Sequence, residues 1–130
     1  MKILLVDDHP ETRKEMAALI DAEKDLRVVA EAASGEEGAA KAGELKPDLV
    51  VMDILLPGIN GIEATKTILA NDPAIKILVL SNHSGHIFVQ ALLKAGAMGY
   101  VRKANAFEEL VPAIRSVAAG RQYLGKGIDD

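Results

Sequence analysis

The sequence predicts an α/β fold, one parallel sheet carrying helices on both faces. Five short apolar runs recur along the chain, most of them continuous rather than alternating, which is how strands buried on both faces read. Segments with helical apolar spacing fill the intervals between them. Turn and cap residues fall where the two kinds of element meet.

The first run, Ile3–Val6, leads through Asp7-Asp8 into a helix whose first turn suits Pro10 and whose stripe is Met16, Leu19 and Ile20. The second is Val28–Ala30. Ser34 then caps a helix over Ser34–Leu45, with Glu37 three residues on as in a capping box. Gly38 and Gly43 weaken that helix, and Pro47 closes the connection. The third run, Leu49–Met52, precedes a helix carrying Ile62, Thr65, Ile68 and Leu69. The fourth, Ile77–Leu80, precedes one with Phe88, Ala91, Leu92 and Ala95 on its apolar face and Gly96 at its C-terminal cap. The fifth, Met98–Val101, precedes a stripe of Leu110, Ile114, Val117 and Ala118. Strand and helix alternate five times, and right-handed crossovers favour a flavodoxin-like (βα)5 sheet of strand order 2-1-3-4-5. One domain is expected over residues 1–120, with 121–130 a C-terminal tail or the start of a linker.

Bulk composition bounds the function. A chain of 130 residues has room for one proper core, and four aromatic residues with no Trp make that core aliphatic. The absence of cysteine excludes disulfides and thiolate chemistry. A net charge of −4 argues against nucleic-acid contact by this segment, because phosphate contacts need a basic face. No apolar run approaches the roughly 18 residues of a membrane span, and the start turns acidic too soon for a signal peptide. A soluble, cytoplasmic chain is expected.

Ligands of open α/β sheets bind beyond the carboxyl ends of the strands. The first strand ends in Asp7-Asp8, the third in Asp53, the fourth in Ser81-Asn82, and the fifth is followed by Arg102-Lys103. Neighbouring strands lie about 4.8 Å apart, so Asp7, Asp53 and Ser81 end adjacent strands. Lys103 starts about 10 Å from Asp53 by the same spacing, a gap its long stem can largely close. Three carboxylates at one edge need a cation or protons between them. A cluster of oxygens without His or Cys suits a hard cation such as Mg²⁺. Given a phosphate donor, the third carboxylate can act as nucleophile and form an aspartyl phosphate. Singly, each residue reads more plainly: Asp7-Asp8 as a helix cap, Asp53 as a turn residue, Lys103 as a solvated charge. Their convergence on one edge carries the functional reading.

These residues, in this order, resemble the receiver domain of two-component response regulators. The matching stretches are Ile3-Leu4-Leu5-Val6-Asp7-Asp8-His9, then Asp53-Ile54-Leu55-Leu56-Pro57-Gly58-Ile59-Asn60-Gly61, Leu80-Ser81, and Gly96-Ala97-Met98-Gly99-Tyr100-Val101-Arg102-Lys103. The Asp7-Asp8-His9-Pro10 opening and the stretch from Gly96 to Leu124 are similar to the NarL/FixJ subfamily. The resemblance implies that Asp53 accepts a phosphoryl group from a sensor histidine kinase. It also implies that Asp7 and Asp8, with Asp53 and the Leu55 carbonyl, hold Mg²⁺ (or Mn²⁺). Ser81 is then the hydroxyl that moves to the phosphoryl group, Tyr100 the aromatic switch, and Lys103 the phosphoryl-pairing lysine. The readout surface is expected around His86, Gln90, Lys94, Arg102 and Glu109.

Some positions depart from the family pattern. Leu56 stands where Met is usual, and Asn82 where a small residue is common. Ala104 follows Lys103 where many receivers have a cis Pro, a bond that costs a non-proline residue about 2.5–4 kcal/mol. His83 and His86 have metal-ligand spacing but no further soft ligands beside them, so they are expected to be loop residues, and His9 a loop residue near the acidic edge rather than a phosphodonor. The protein is expected to be a switch, not an enzyme beyond its own aspartyl phosphorylation and dephosphorylation. It is expected to act through a C-terminal helix-turn-helix DNA-binding domain outside this chain, with a homodimer possible. The alternatives are a stand-alone receiver acting by protein contacts and a small haloacid-dehalogenase-like phosphatase.

Overall fold

The computed structural model describes residues 1–83 and 85–128. Strands β1 (Lys2–Val6), β2 (Arg27–Ala32), β3 (Leu49–Met52), β4 (Lys76–Ser81) and β5 (Gly99–Arg102) alternate with helices α1 (Pro10–Asp21), α2 (Gly35–Leu45), α3 (Gly61–Asn71), α4 (His86–Ala95) and α5 (Ala106–Ala118). A 3-10 turn, Lys103–Asn105, joins β5 to α5, and a short β6 (Tyr123–Leu124) follows α5. All pairings are parallel, in the order β2-β1-β3-β4-β5-β6.

The continuous apolar runs are explained by the two covered faces. Leu4 and Val6 of β1 pack with Val50, Met52, Ile77 and Val79 against α2, α3 and α4. Their neighbours Ile3 and Leu5 pack with Leu49, Val51, Leu78 and Leu80 against α1 and α5. Each residue of the runs Ile3–Val6, Leu49–Met52 and Ile77–Leu80 therefore serves one core or the other, and these runs leave no polar face for alternation to reveal.

The helix boundaries follow from their caps. Pro10 opens α1. Ser34 Oγ accepts the Glu37 N–H at 3.1 Å, and Glu37 returns a bond to the Ala33 N–H at 2.6 Å, one residue short of the expected capping box. Gly96, at φ +113°, ends α4 in a left-handed turn that glycine adopts without steric cost. The expected α4 stripe is rotated. Val89 and Leu92 are completely buried, whereas Phe88 is half-buried and stacks near the His83 ring, with centroids 5.6 Å apart. All peptide bonds among the described residues are trans, and the chain after Lys103 makes its turn in 3-10 form without the family's proline.

The segment after residue 120, expected as a tail or linker, forms structure instead. Tyr123 and Leu124 pair with Gly99 and Tyr100, Gly125 N–H bonds to the Tyr100 carbonyl at 2.9 Å, and Ile128 is buried. Glu109 anchors it, accepting the Tyr123 hydroxyl at 2.7 Å and the Lys126 N–H at 3.1 Å. Glu109 is thus buried against the segment rather than presented to partners, unlike His86, Gln90 and Lys94, which are exposed. The last two residues of the expected tail, Asp129 and Asp130, lie outside the described residues.

Candidate functional site

Parallel register delivers the acidic residues to one edge. Val6 pairs with Met52, so Asp7 and Asp53 follow side by side, and the Asp53 N–H bonds to the Val6 carbonyl at 2.9 Å. Met52 in turn pairs with Val79, two residues before Ser81, and Ser81 pairs with Arg102, next to Lys103. Gly61 closes the loop that follows Asp53: its N–H bonds to the Ile54 carbonyl at 2.7 Å, and a Cβ there would sit 2.1 Å from the Asp53 carbonyl oxygen. Only glycine permits that approach. Leu55, expected to offer its carbonyl, lies in this loop with an exposed side chain.

Lys103 is the centre of the charge arrangement. Its Nζ lies 2.7 Å from Asp7 Oδ2 and 3.2 Å from Asp53 Oδ2, and all three side chains are at most 12% exposed. Asp53 Oδ1 accepts the Ile54 N–H at 2.8 Å. Burial raises the Asp53 carboxyl above the ordinary carboxylate range, and the charge of Asp7 adds to this while Lys103 opposes it. For Lys103, burial pulls downward, but the hydrogen bond to Asp7 and the fields of both carboxylates outweigh it, so its ammonium is held more firmly than usual.

The other face of the carboxylate pair belongs to His9 and Asp8. Asp7 Oδ1 accepts the His9 N–H at 2.9 Å and lies 3.1 Å from its Nδ1. Asp8 Oδ1 is also 3.1 Å from that nitrogen, yet it makes no hydrogen bond although the atom is buried. An orphaned carboxylate oxygen beside two further carboxylates is what a hard cation would satisfy, so the residues present fit Mg²⁺. Among the described residues, Asp7, Asp8, His9 and Asp53 form one cluster with ligand atoms all within 4.8 Å of one another. His9, expected as a loop residue near the acidic edge, thus adds a ring nitrogen to a cluster expected to hold only oxygens. His83 and His86 join no such cluster among the described residues.

Two further contributions to the site, a guanidinium and a stretch of backbone, were not legible. Arg13 donates from its guanidinium to the Asp7 carbonyl at 2.5 Å and to Glu31 at 3.0 Å, fixing the start of the β1–α1 loop. The available signal was the single helical turn from His9 to Arg13, whose backbone groups bond at 3.1 Å. The second is the His83 backbone. Its N–H donates to Ser81 Oγ at 3.1 Å, and its carbonyl accepts the hydroxyl of the completely buried Tyr100. Burial, followed by the charge of Asp53, raises the Tyr100 phenol far beyond physiological pH, so it remains a donor. Asn82 is exposed beside this link.

Chemically, the site offers a buried carboxylate with an ammonium beside it, a place for a hard cation, and a hydroxyl on the adjacent strand. The family profile for the response regulator receiver domain matches residues 3–115. Response regulator GacA of Pseudomonas syringae pv. syringae is 43% identical over 128 residues, covering 98% of this chain and 60% of that protein. Transcriptional regulatory protein LiaR of Bacillus subtilis is 38% identical over 124 residues, covering 95% and 59%. The crystal structure of a LuxR-family two-component response regulator from Aurantimonas sp. SI85-9A1 aligns with a TM-score of 0.94 at 44% identity, covering 98% of this chain and 91% of that one. The chain spans about 60% of the length of the curated relatives it matches.

Proposed function

The chain belongs to the response regulator receiver family of two-component systems, and we propose that Asp53 is its phosphoacceptor, loaded by a sensor histidine kinase in the presence of Mg²⁺ or Mn²⁺. The observation that carries this reading is the Lys103 ammonium bridging Asp7 and Asp53 while Asp8 Oδ1 stays buried without a hydrogen bond. Receiver domains bind Mg²⁺ at an acidic pocket; here Asp8, Asp53 and the Leu55 carbonyl, with Asp7 directly or through water, would hold it. Bound there, the cation supplies charge neutralisation for the incoming phosphoryl group.

The remaining steps belong to the chain. An Asp53 carboxylate oxygen bonds to phosphorus as the donor's phosphorus–nitrogen bond breaks, giving an aspartyl phosphate. Lys103 exchanges a carboxylate contact for a phosphoryl oxygen. Ser81 turns its hydroxyl toward the same group and leaves the His83 N–H, which shifts the residue whose carbonyl holds Tyr100. Phosphorylation then acts as a population shift between two arrangements. A reversal from about 1:99 to 99:1 needs about 5.5 kcal/mol of differential interaction.

The output proposed is transcriptional, through a DNA-binding domain beyond this chain, because the NarL/FixJ-like relatives include a transcriptional regulatory protein of greater length. The cytoplasmic setting belongs to the same reading; no helix among the described residues is long and apolar enough to cross a membrane. Incubation with Mg²⁺ and acetyl phosphate, followed by intact mass, tests the core of the proposal. One phosphoryl addition is expected in the wild type, lost with EDTA and absent from Asp53→Asn. An unmodified wild type would sink it.

A further inference from the structure

We propose that His9 sets the cation selectivity of the acidic pocket, by offering an imidazole nitrogen that borderline ions such as Ni²⁺ accept and Mg²⁺ does not. The inference rests on reading this pocket as the cation site of the phosphoacceptor. The two oxygens of Asp7 divide between two cationic or polar neighbours: Oδ2 faces Lys103 at 2.7 Å and Oδ1 faces His9 Nδ1 at 3.1 Å. Asp8 Oδ1 lies the same 3.1 Å from that nitrogen and is the buried oxygen left without a hydrogen bond. Neighbouring donors of an octahedral ion with bonds of about 2.1 Å are about 3.0 Å apart. His9 Nδ1 and Asp8 Oδ1 are therefore already spaced as two adjacent ligands of one ion.

The backbone keeps the ring at this spot without employing it elsewhere. His9 is the residue before α1, in extended conformation, and its side chain makes no bond to the helix end. Its N–H is tied to Asp7 Oδ1 at 2.9 Å and its carbonyl to the Arg13 N–H at 3.1 Å. The side chain itself is 63% exposed, so it can tilt to close the 4.8 Å span of the cluster at little cost in packing. Mg²⁺ prefers oxygen and keeps its waters, whereas imidazole suits Ni²⁺ and Zn²⁺, which also stand higher in the general order of divalent affinities. With His9 present, a Ni²⁺ or Zn²⁺ ion gains a ligand in place of a water molecule.

The test is calorimetric titration with Ni²⁺ and with Mg²⁺ alone, without phosphate donor. It is run in a His83→Gln, His86→Gln background, so that His9 is the remaining one of the chain's three histidines. Replacing His9 by Gln, or by Asp to substitute an oxygen, is expected to lower the ratio of Ni²⁺ to Mg²⁺ affinity by about tenfold or more. Asp8→Asn is expected to weaken both ions together. A ratio unchanged in both His9 variants overturns the proposal, as does Ni²⁺ binding that survives Asp8→Asn at full strength. Because the ratio is read with the metals alone, it stands or falls separately from the phosphorylation of Asp53.

Discussion

Ser81 and Tyr100 are joined through one residue: the His83 N–H donates to Ser81 Oγ at 3.1 Å, and the His83 carbonyl accepts the Tyr100 hydroxyl. A hydroxyl at the acidic edge and a phenol inside the core thus share a single intermediary residue. Tyr100→Phe keeps the ring and removes the bond, at a cost of about 0.5–1.5 kcal/mol. Beryllofluoride should still load Asp53 in this variant. The amide shifts that loading causes along Gly99–Arg102 should shrink relative to wild type in NMR spectra, and shifts of full size would detach Tyr100 from the switch.

Lys103 neutralises two buried carboxylates, so Lys103→Met should destabilise the metal-free protein by about 3–5 kcal/mol. Mg²⁺ should restore much of the lost melting temperature, since a cation between the carboxylates relieves the same repulsion. Equal Mg²⁺ stabilisation of wild type and variant in thermal melts would contradict this.

Asp53 links stability to pH. Burial places its carboxyl pKa higher in the folded than in the unfolded chain. Such a group favours the fold when protonated, below the unfolded value, and that contribution is lost as pH rises through the folded value. At neutral pH the ionised carboxylate therefore weighs against folding. In EDTA, Asp53→Asn should melt above wild type at neutral pH, with the gap closing as pH falls through the raised carboxyl range. Melts across that range check it; a gap independent of pH would rule the explanation out.

Glu109 should govern the C-terminal segment. Glu109→Gln turns a charged acceptor into a neutral one, and loss of about 1–3 kcal/mol of local anchoring should speed amide exchange over residues 123–128. The Tyr123 phenol, pushed up to about 12 by burial first and Glu109 second, should titrate lower while staying above a free tyrosine. In a Tyr100→Phe background Tyr123 is the one tyrosine left, and absorbance titration reads it directly. An unmoved titration would separate Glu109 from Tyr123.

The sheet was legible because its strands are buried on both faces, and that burial leaves continuous runs such as Ile3-Leu4-Leu5-Val6. Asp7, Asp53, Ser81 and Lys103 were legible as a set because parallel strands all end at the same edge. What escaped depends on side-chain contacts that the linear pattern does not encode. A two-residue strand has no periodicity to detect, and β6 is held by Glu109, 14 residues before Tyr123. The place of His9 in the acidic cluster depends on its side-chain direction, which spacing does not encode. Likewise Val89 is completely buried and Phe88 only partly, because both fit a helical stripe and only the packed neighbours decide between them.

Because β6 runs parallel to β5, it carries the chain back to the end of the sheet where Asp53 lies. The 13 residues of α5 lead away from that end over roughly 20 Å, at about 1.5 Å per residue. The strand reverses the excursion and sets Gly125 against the Tyr100 carbonyl at 2.9 Å. Strand β6 lies one strand spacing, roughly 4.8 Å, from the strand that carries Tyr100. The long helix is thereby bypassed: the C-terminal segment is hydrogen-bonded directly to the strand that carries Tyr100.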